Sequence, residues 1–355
     1  MARRIAVIPG DGIGREVLAE GVPILQKMAD ILGTSVAFEH FDLGADRYLA
    51  DGTTLPPGLV PRFQQEFDAI YLGAVGDPRV PSGIHAREIL LGLRFQLDLY
   101  INLRPVHLLD ESLCPLKGKG QADLDFMVFR ENTEGEYVNV GGTFKQGTPD
   151  EVAIQESVNT RKGVERIIVA AFEYARTTGK KRVCMADKHN AMEYGHGLWK
   201  RVFAEVKTRY PEIQARHLFV DALVMQMVRA PEQFDVIVTS NLFGDIVTDL
   251  GAQLQGGMGL AASGNIHPGQ VSLFEPVHGS APDIAGQNKA NPMASALTAG
   301  LLLGHLGQPD AYPLMEDVVR KVLARGLKTP DLGGTSSTRQ VGQALLDELQ
   351  TISKA

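Results

Sequence analysis

Residues 241–249 have the sequence Asn-Leu-Phe-Gly-Asp-Ile-Val-Thr-Asp, which sets two carboxylates, Asp245 and Asp249, four residues apart. The apolar run from Phe234 to Val238 predicts a buried strand, and Gly244 allows a close turn from that strand into a helix. Side chains four residues apart on a helix project from one face. Such a pair suits a hard divalent cation, Mg²⁺ or Mn²⁺, although a helix cap at Asp245 beside a solvated Asp249 would have the same spacing.

Three arginines and a tyrosine point to an anionic ligand. Arg94 precedes a predicted strand that carries Arg104 and ends at Pro105. Arg130 follows another predicted strand, and Tyr137 comes seven residues later. Three guanidinium groups can hold two carboxylates by forked hydrogen bonds, so a dicarboxylic acid is the natural ligand. A single arginine would more often form a surface ion pair.

Polar residues also follow two further strands. Lys188 and Asn190 come directly after an apolar segment, and Asp221 follows another. A lysine beside a cation and arginines can act as a general base, although a solitary lysine is usually solvated. Asp221 could complete a metal site, and it could equally cap the next helix.

Five motifs in order carry a resemblance that covers nearly the whole chain. They are Ile-Pro-Gly-Asp-Gly-Ile-Gly (8–14), Leu-Arg-Pro (103–105), Arg-Glu-Asn-Thr-Glu-Gly (130–135), Asn-Leu-Phe-Gly-Asp (241–245) and Glu-Pro-Val-His-Gly-Ser-Ala-Pro-Asp-Ile-Ala-Gly (275–286). Together they resemble the metal-dependent β-decarboxylating dehydrogenases, the isocitrate/isopropylmalate dehydrogenase family. Members of that family act on 3-isopropylmalate, isocitrate, homoisocitrate, D-malate or tartrate.

The resemblance implies an α/β fold of two discontinuous domains with mixed sheets, without a Rossmann fold. Residues 1–99 and 252–355 are expected to form the nucleotide-binding domain. Residues 100–251 are expected to form the dimerisation and catalytic domain. The segment near 135–155, rich in Gly and Thr at its start, would be an extended arm that pairs with the partner's copy in a homodimer.

The same resemblance implies a mechanism. Asp245 and Asp249 of one subunit, with Asp221 of the other, would hold the cation. Lys188 would remove the proton of the substrate's 2-hydroxyl while a hydride passes from C2 to NAD. After loss of CO₂, Tyr137 would protonate C3. The implied substrate-binding residues are Arg94, Arg104, Arg130, Asp221, Leu90, Leu91 and Asn190.

The glycine-rich opening is an unsuitable cofactor motif. Arg15 stands where the third glycine of a dinucleotide fingerprint belongs, so we interpret the opening as a tight turn. The resemblance places the nucleotide on the loop from Glu275 to Asn291 instead. The implied cofactor-binding residues are Glu275, His278, Gly279, Ser280, Ala281, Asp283, Ile284 and Asn291. A carboxylate at Asp283 would bind ribose hydroxyls and repel a 2′-phosphate, which favours NAD over NADP, unless it only caps a turn.

Substrate choice depends on the segment before Arg94. By resemblance it faces the C3 substituent, and Leu90 with Leu91 predicts an apolar pocket that suits the isopropyl group of 3-isopropylmalate. Arg-Glu-Asn-Thr-Glu-Gly also resembles the enzymes for isocitrate, D-malate and tartrate. The short loop from Gly76 to Arg94 has a length shared with the enzymes for D-malate or tartrate, which remain the alternative. A regulatory ligand-binding subunit without activity is a third possibility. Such a subunit would be expected to lose the lysine, the tyrosine or a metal aspartate, and all of these are present.

Composition excludes several classes of partner. The chain has 355 residues, enough for two domains, and a net charge of −7, which argues against nucleic acid. Only Cys114 and Cys184 are present, so a reducing compartment, the cytoplasm, is expected. No apolar run is long enough to span a membrane, and the residues after Arg3 and Arg4 form no signal-peptide core.

Overall fold

The structure, a computed structural model, describes residues 2–352 except the side chain of Ser82. Its strands are β1 (Arg3–Gly10), β2 (Val36–His40), β3 (Ala69–Ala74), β4 (Ile101–His107), β5 (Asp125–Glu131), β6 (Gly141–Phe144), β7 (Val152–Gln155), β8 (Arg182–Asp187), β9 (Gln214–Phe219), β10 (Val236–Thr239), β11 (Ala262–Ile266) and β12 (Ser272–Pro276). Its helices are α1 (Ile13–Ile31), α2 (Ala45–Asp51), α3 (Leu59–Glu66), α4 (Ile84–Ala86), α5 (Gly92–Gln96), α6 (Arg161–Thr178), α7 (Glu193–Val206), α8 (Val220–Arg229), α9 (Asn241–Leu254), α10 (Met293–His305), α11 (Ala311–Ala324) and α12 (Thr338–Ile352).

One compact unit contains residues 2–99, 107–121 and 252–352. Its strands follow the order β2-β1-β3-β12-β11, and β11 runs antiparallel to β12 while the other pairs are parallel. Alternate residues of β1 enter opposite hydrophobic clusters, since Ile5 and Val7 pack on one side and Ala6 and Ile8 on the other. The sheet of this unit is therefore buried on both faces.

A second compact unit contains residues 100–106 and 122–251, with strand order β4-β5-β10-β8-β9. The strands β5, β10, β8 and β9 are parallel, so their carboxyl ends meet at one edge of the sheet. Helix α8 starts directly after β9, and α9 starts two residues after β10. This arrangement brings Arg130, Lys188, Asp221 and the start of α9 to that edge.

The segment after Tyr137 forms an exposed two-stranded ribbon. Strand β6 pairs antiparallel with β7, and every residue of both strands is exposed. Its exposed apolar side chains include Phe144, Val152 and Ile154, with Val140 just before it. Apolar side chains on a ribbon that lacks a core are typical of a surface that another chain covers.

The predicted α/β class with mixed sheets is confirmed. The predicted end of a strand at Pro105 is wrong, because β4 continues to His107. Proline removes only one donor from the ladder and its fixed φ is compatible with extended backbone. The apolar run before Asp245 is a strand only from Val236, since Phe234 follows the 3₁₀ turn of Pro231–Gln233.

Candidate active site

Asp245 lies at the centre of a charged cluster in the second unit. Arg130 Nη1 makes a short hydrogen bond to Asp245 Oδ1, and Arg104 Nη2 lies 3.5 Å from the same oxygen. Tyr137 donates its hydroxyl proton to Asp245 Oδ2 over 3.1 Å, and its ring lies under the Arg130 guanidinium at 5.2 Å. Arg104 Nη1 is also 3.9 Å from Asp249 Oδ1. Two arginines, two carboxylates and a phenol therefore share one site.

Neighbouring polar groups fix the orientation of both arginines. Arg104 donates from Nε to Asn102 Oδ1 over 2.7 Å and from Nη1 to Thr248 Oγ1 over 2.6 Å. Arg130, which is only 1% exposed, donates from Nε to Asn241 Oδ1 over 3.0 Å. These bonds hold the planar guanidinium forks in the geometry that binds carboxylates.

The two aspartates of α9 are close enough for their negative charges to repel each other. Burial raises the pKa of Asp249, and the charge of Asp245 raises it further, against the opposing effect of Arg104 and Arg130. Both side chains stay partly exposed, so a cation can reach them. Carboxylate oxygens are the ligands that Mg²⁺ and Mn²⁺ prefer, and the donor set fits such an ion.

Lys188 and Asp221 form a second group in the same unit. Lys188 Nζ lies 2.9 Å from Asp221 Oδ2, and this hydrogen bond lowers the pKa of Asp221. The backbone N–H of Lys188 donates to Nδ1 of His196 over 2.9 Å. Burial lowers the pKa of His196, which keeps its ring neutral and able to accept that bond. Asn190 is exposed in the turn that follows.

The predicted specificity residues lie in the first unit, on a π-helical turn. Residues Arg87–Leu91 connect α4 to α5 with π-helical hydrogen bonding, and Leu90 and Leu91 are half-buried there. Such turns often occur at functional sites because they re-aim side chains. Arg94 is buried on α5, where its Nη2 donates to Glu275 Oε1 over 3.1 Å.

The predicted cofactor loop surrounds a cavity of about 510 Å³ in the first unit. The residues lining it include Ile13, His278, Ile284, Asn291 and Asp331. Burial lowers the pKa of His278, so its ring is neutral and suited to contact with a flat aromatic group.

Other loop residues have structural partners. Glu275 is buried and also accepts from Asn265 Nδ2 over 2.9 Å, while Asn291 donates to Asp331. The exposed Asp283 carboxylate accepts no hydrogen bond from the residues that the structure describes. Ala281 adopts a positive φ, and Gly279 is exposed.

The glycine-rich opening contacts this loop. A Cβ at Gly12 would lie 2.0 Å from the carbonyl oxygen of Ser280, the atom to which Ile13 N donates over 2.8 Å. Asp11 was missed as a functional candidate. Its buried carboxylate accepts from the backbone of Ala45 and Gly76, and it lies 3.0 Å from His85 Nε2. It therefore ties the opening to the segment that carries the specificity residues. The burial of Asp11 and its contacts with distant residues cannot be read from the sequence.

Comparison with known proteins decides the family. A family model described as isocitrate/isopropylmalate dehydrogenase matches residues 4–345. The chain belongs to this family. It is 49% identical over 341 residues to a 3-isopropylmalate dehydrogenase of Thermobifida fusca, covering 96% of this chain and 95% of that protein. It is 46% identical over 344 residues to a protein of the same name from Nocardia farcinica, covering 96% and 98%.

A solved structure of the same family has a similar fold. The crystal structure of isocitrate dehydrogenase from Methylococcus capsulatus is 36% identical, with a TM-score of 0.87, and the match covers 98% of this chain and 99% of that one. The family predicted from the five motifs is thus confirmed, and the chain is an enzyme of the decarboxylating dehydrogenase type. Within the described residues, no helix is both long and apolar enough to cross a bilayer.

Proposed function

We propose that this enzyme catalyses the NAD-dependent oxidative decarboxylation of 3-isopropylmalate to 4-methyl-2-oxopentanoate and CO₂, a step of leucine biosynthesis. The observation that carries the proposal is the position of Asp245 among Arg104, Arg130 and Tyr137. A carboxylate pair, two oriented arginines and a phenol are the groups that a metal-dependent decarboxylation of a hydroxy diacid requires. The sequence identity to relatives named for this substrate supports the choice.

The proposed metal ligands are Asp245 and Asp249, with Asp221 from the partner subunit. When bound, Mg²⁺ or Mn²⁺ supplies the charge that acidifies the 2-hydroxyl and polarises the 2-oxo group. Asp245 would turn its oxygens to the cation, and the guanidinium groups of Arg104 and Arg130 would bind the carboxylates of the substrate. Their bonds to Asn102, Thr248 and Asn241 stay in place and preserve their orientation.

The chain's own residues move the protons. Lys188 accepts the proton of the 2-hydroxyl during oxidation at C2, for which NAD would supply the hydride acceptor, and Asp221 keeps the Lys188 side chain in position. Tyr137 donates its hydroxyl proton to C3 after CO₂ has left. The position of that hydroxyl, 3.1 Å from Asp245, supports this role because it holds the proton at the cation site.

Leu90 and Leu91 are proposed to contact the isopropyl group. Both are half-buried and neither can pair a third carboxylate, which disfavours isocitrate. The neighbouring Glu88 accepts a hydrogen bond from the hydroxyl of Thr54 over 2.8 Å. D-malate and tartrate also lack the third carboxylate, and the short loop from Gly76 to Arg94 favours them as the second candidate substrates.

NAD is the proposed cofactor, held by the loop from Glu275 to Asn291. The neutral His278 ring lines the cavity and suits the adenine, and Asn291 lines it too. The Asp283 carboxylate is free to accept from ribose hydroxyls and would repel a 2′-phosphate.

A homodimer with shared active sites is proposed as the assembly. Exposed apolar side chains support it, because they gather in the second unit on the ribbon (Phe144, Ile154) and on α8 and α9 (Met225, Ile246). The cytoplasm is the proposed location, since Cys114 and Cys184 are both free.

One experiment tests the reaction type. The purified enzyme is incubated with 3-isopropylmalate, NAD and Mg²⁺, and NADH and CO₂ are measured together. We expect one CO₂ for each NADH and a complete loss of both with a strong chelator, restored by Mg²⁺ or Mn²⁺. NADH formation that continues in excess chelator, or proceeds without CO₂, would overturn the proposal.

A further inference from the structure

A further group of metal-ligand type contains none of the proposed ligands Asp221, Asp245 and Asp249. It consists of Asp187 at the end of β8, His189 in the following turn, and His217 on the neighbouring strand β9. His189 Nδ1 lies 2.9 Å from Asp187 Oδ1, and His217 Nε2 lies 2.8 Å from the same oxygen. One atom from each residue lies within 4.8 Å of the others. The three ligand atoms therefore lie close together, with the carboxylate oxygen between the two ring nitrogens.

The carboxylate of this group is buried, unlike that of an ordinary surface cluster. The Asp187 side chain is 0% exposed, while the rings of His189 and His217 are 19% and 28% exposed. A buried carboxylate needs a positive partner, and the side chains on its ligand face are two imidazoles. The half-open rings leave a route from solvent to the carboxylate oxygen. Phe219 contacts both rings, with centroids 5.0 Å and 5.4 Å away.

We propose that Asp187, His189 and His217 bind a transition-metal ion of the zinc class, separately from the hard cation of the active site. Two imidazole nitrogens and one carboxylate oxygen are a ligand set that Zn²⁺, Co²⁺ and Ni²⁺ prefer and that Mg²⁺ does not. Three protein ligands leave a fourth position for water, as in open zinc sites.

The geometry requires only a small adjustment. Ligands of a tetrahedral Zn²⁺ about 2.1 Å from the ion lie roughly 3.4 Å from one another. The present separations of 2.8 Å and 2.9 Å fall short of that value by a fraction of an ångström, which rotation of the two partly exposed rings can supply. In the bound state each imidazole turns a ring-nitrogen lone pair to the ion and carries its proton on its other nitrogen.

Cobalt titration tests the proposal, because Co²⁺ bound by imidazole in a tetrahedral site absorbs visible light far more strongly than Co²⁺ in an all-oxygen octahedral site. The intact enzyme is first saturated with Mg²⁺ to fill the carboxylate site, and Co²⁺ is then added. We expect one tightly bound Co²⁺ per chain with tetrahedral absorption. His189→Gln and His217→Gln should each weaken this binding by more than about tenfold.

Asp245→Asn is the matched control, because it removes a proposed ligand of the hard cation and leaves the imidazoles intact. It should keep the tetrahedral cobalt spectrum unchanged. Circular dichroism and the melting temperature verify that the histidine variants fold, and Asp187→Asn provides an independent third variant. The absence of tetrahedral Co²⁺ in the presence of Mg²⁺ would overturn the proposal. So would a spectrum that Asp245→Asn abolishes and the histidine variants retain.

Discussion

A single added methyl group at Gly244 should disable the arginine cluster. Gly244 lies in the first turn of α9, and a Cβ there would be 2.4 Å from Cγ and 2.6 Å from Cβ of Arg130. Non-bonded carbon atoms normally stay about 3.5–4.0 Å apart, so Gly244→Ala must displace Arg130 or the helix by roughly 1 Å. Arg130 is 1% exposed and cannot simply swing into solvent.

The expected loss follows from that displacement. Moving a substrate-positioning group by roughly 1 Å costs about a hundredfold in kcat/KM. Overpacking of this size costs about 1–3 kcal/mol of folding stability, which a protein of ordinary stability survives. Activity should therefore fall much further than stability, since the clash is confined to the side chain that orients the substrate.

Steady-state kinetics with 3-isopropylmalate and NAD, together with a melting curve, measure both quantities. Gly304→Ala on α10 is the matched control, because a Cβ at Gly304 meets no atom within 4 Å. It should keep wild-type kcat/KM and raise helix stability by up to about 1 kcal/mol. Wild-type kcat/KM in Gly244→Ala would refute the inference that the close contact with Arg130 sets the substrate geometry.

Three further predictions address the cation, the cofactor and the assembly. Asp245→Asn removes a charged ligand at constant size, so kcat should collapse and higher NAD should not restore it; substantial activity at ordinary Mg²⁺ would contradict its role. Asp283→Lys should weaken NAD and improve NADP, measured as the ratio of kcat/KM for the two cofactors; an unchanged ratio would make Asp283 only a turn residue. In the proposed dimer each site takes Tyr137 from one subunit and Lys188, with Asp221, from the other. Subunits carrying Tyr137→Phe and subunits carrying Lys188→Met, each inactive alone, should therefore recover roughly a quarter of wild-type activity after equal mixing and exchange, since half of the dimers would contain one intact site. Sites built within one chain would give no recovery.

The sequence predicted the family and the main chemical groups because their signals are local. The spacing of Asp245 and Asp249 and the order of the five motifs depend only on chain position, and the family match bears that resemblance out. The alternation of strands and helices gave the fold class for the same reason.

The supporting contacts could not be predicted, because they join residues far apart in the chain. Thr248 holds Arg104 across 144 positions, and Asn241 holds Arg130 across 111. Neither threonine nor asparagine has a sequence pattern that predicts such a role. The π-helical turn at Leu90 and Leu91 also has no sequence signal, since it depends on how the segment packs.

The contacts of Asp187 with His189 and His217 could not be predicted from the sequence either. His189 stands between Lys188 and Asn190, and no local motif marks it as a metal ligand. Its partner His217 is 28 positions further along, and only the parallel pairing of β8 with β9 brings the two together. The contact between His189 and His217 therefore depends on the register of β8 against β9, which the local sequence does not show.

A comparison of kcat/KM with NAD on 3-isopropylmalate, D-malate, tartrate and isocitrate tests the central claim most directly. If Leu90 and Leu91 enclose the isopropyl group, burial of three carbons contributes roughly 2 kcal/mol, or about thirtyfold, in favour of 3-isopropylmalate over D-malate. Isocitrate should be the poorest substrate, because its third carboxylate would remain unpaired. Equal or better turnover of D-malate or tartrate would contradict the account.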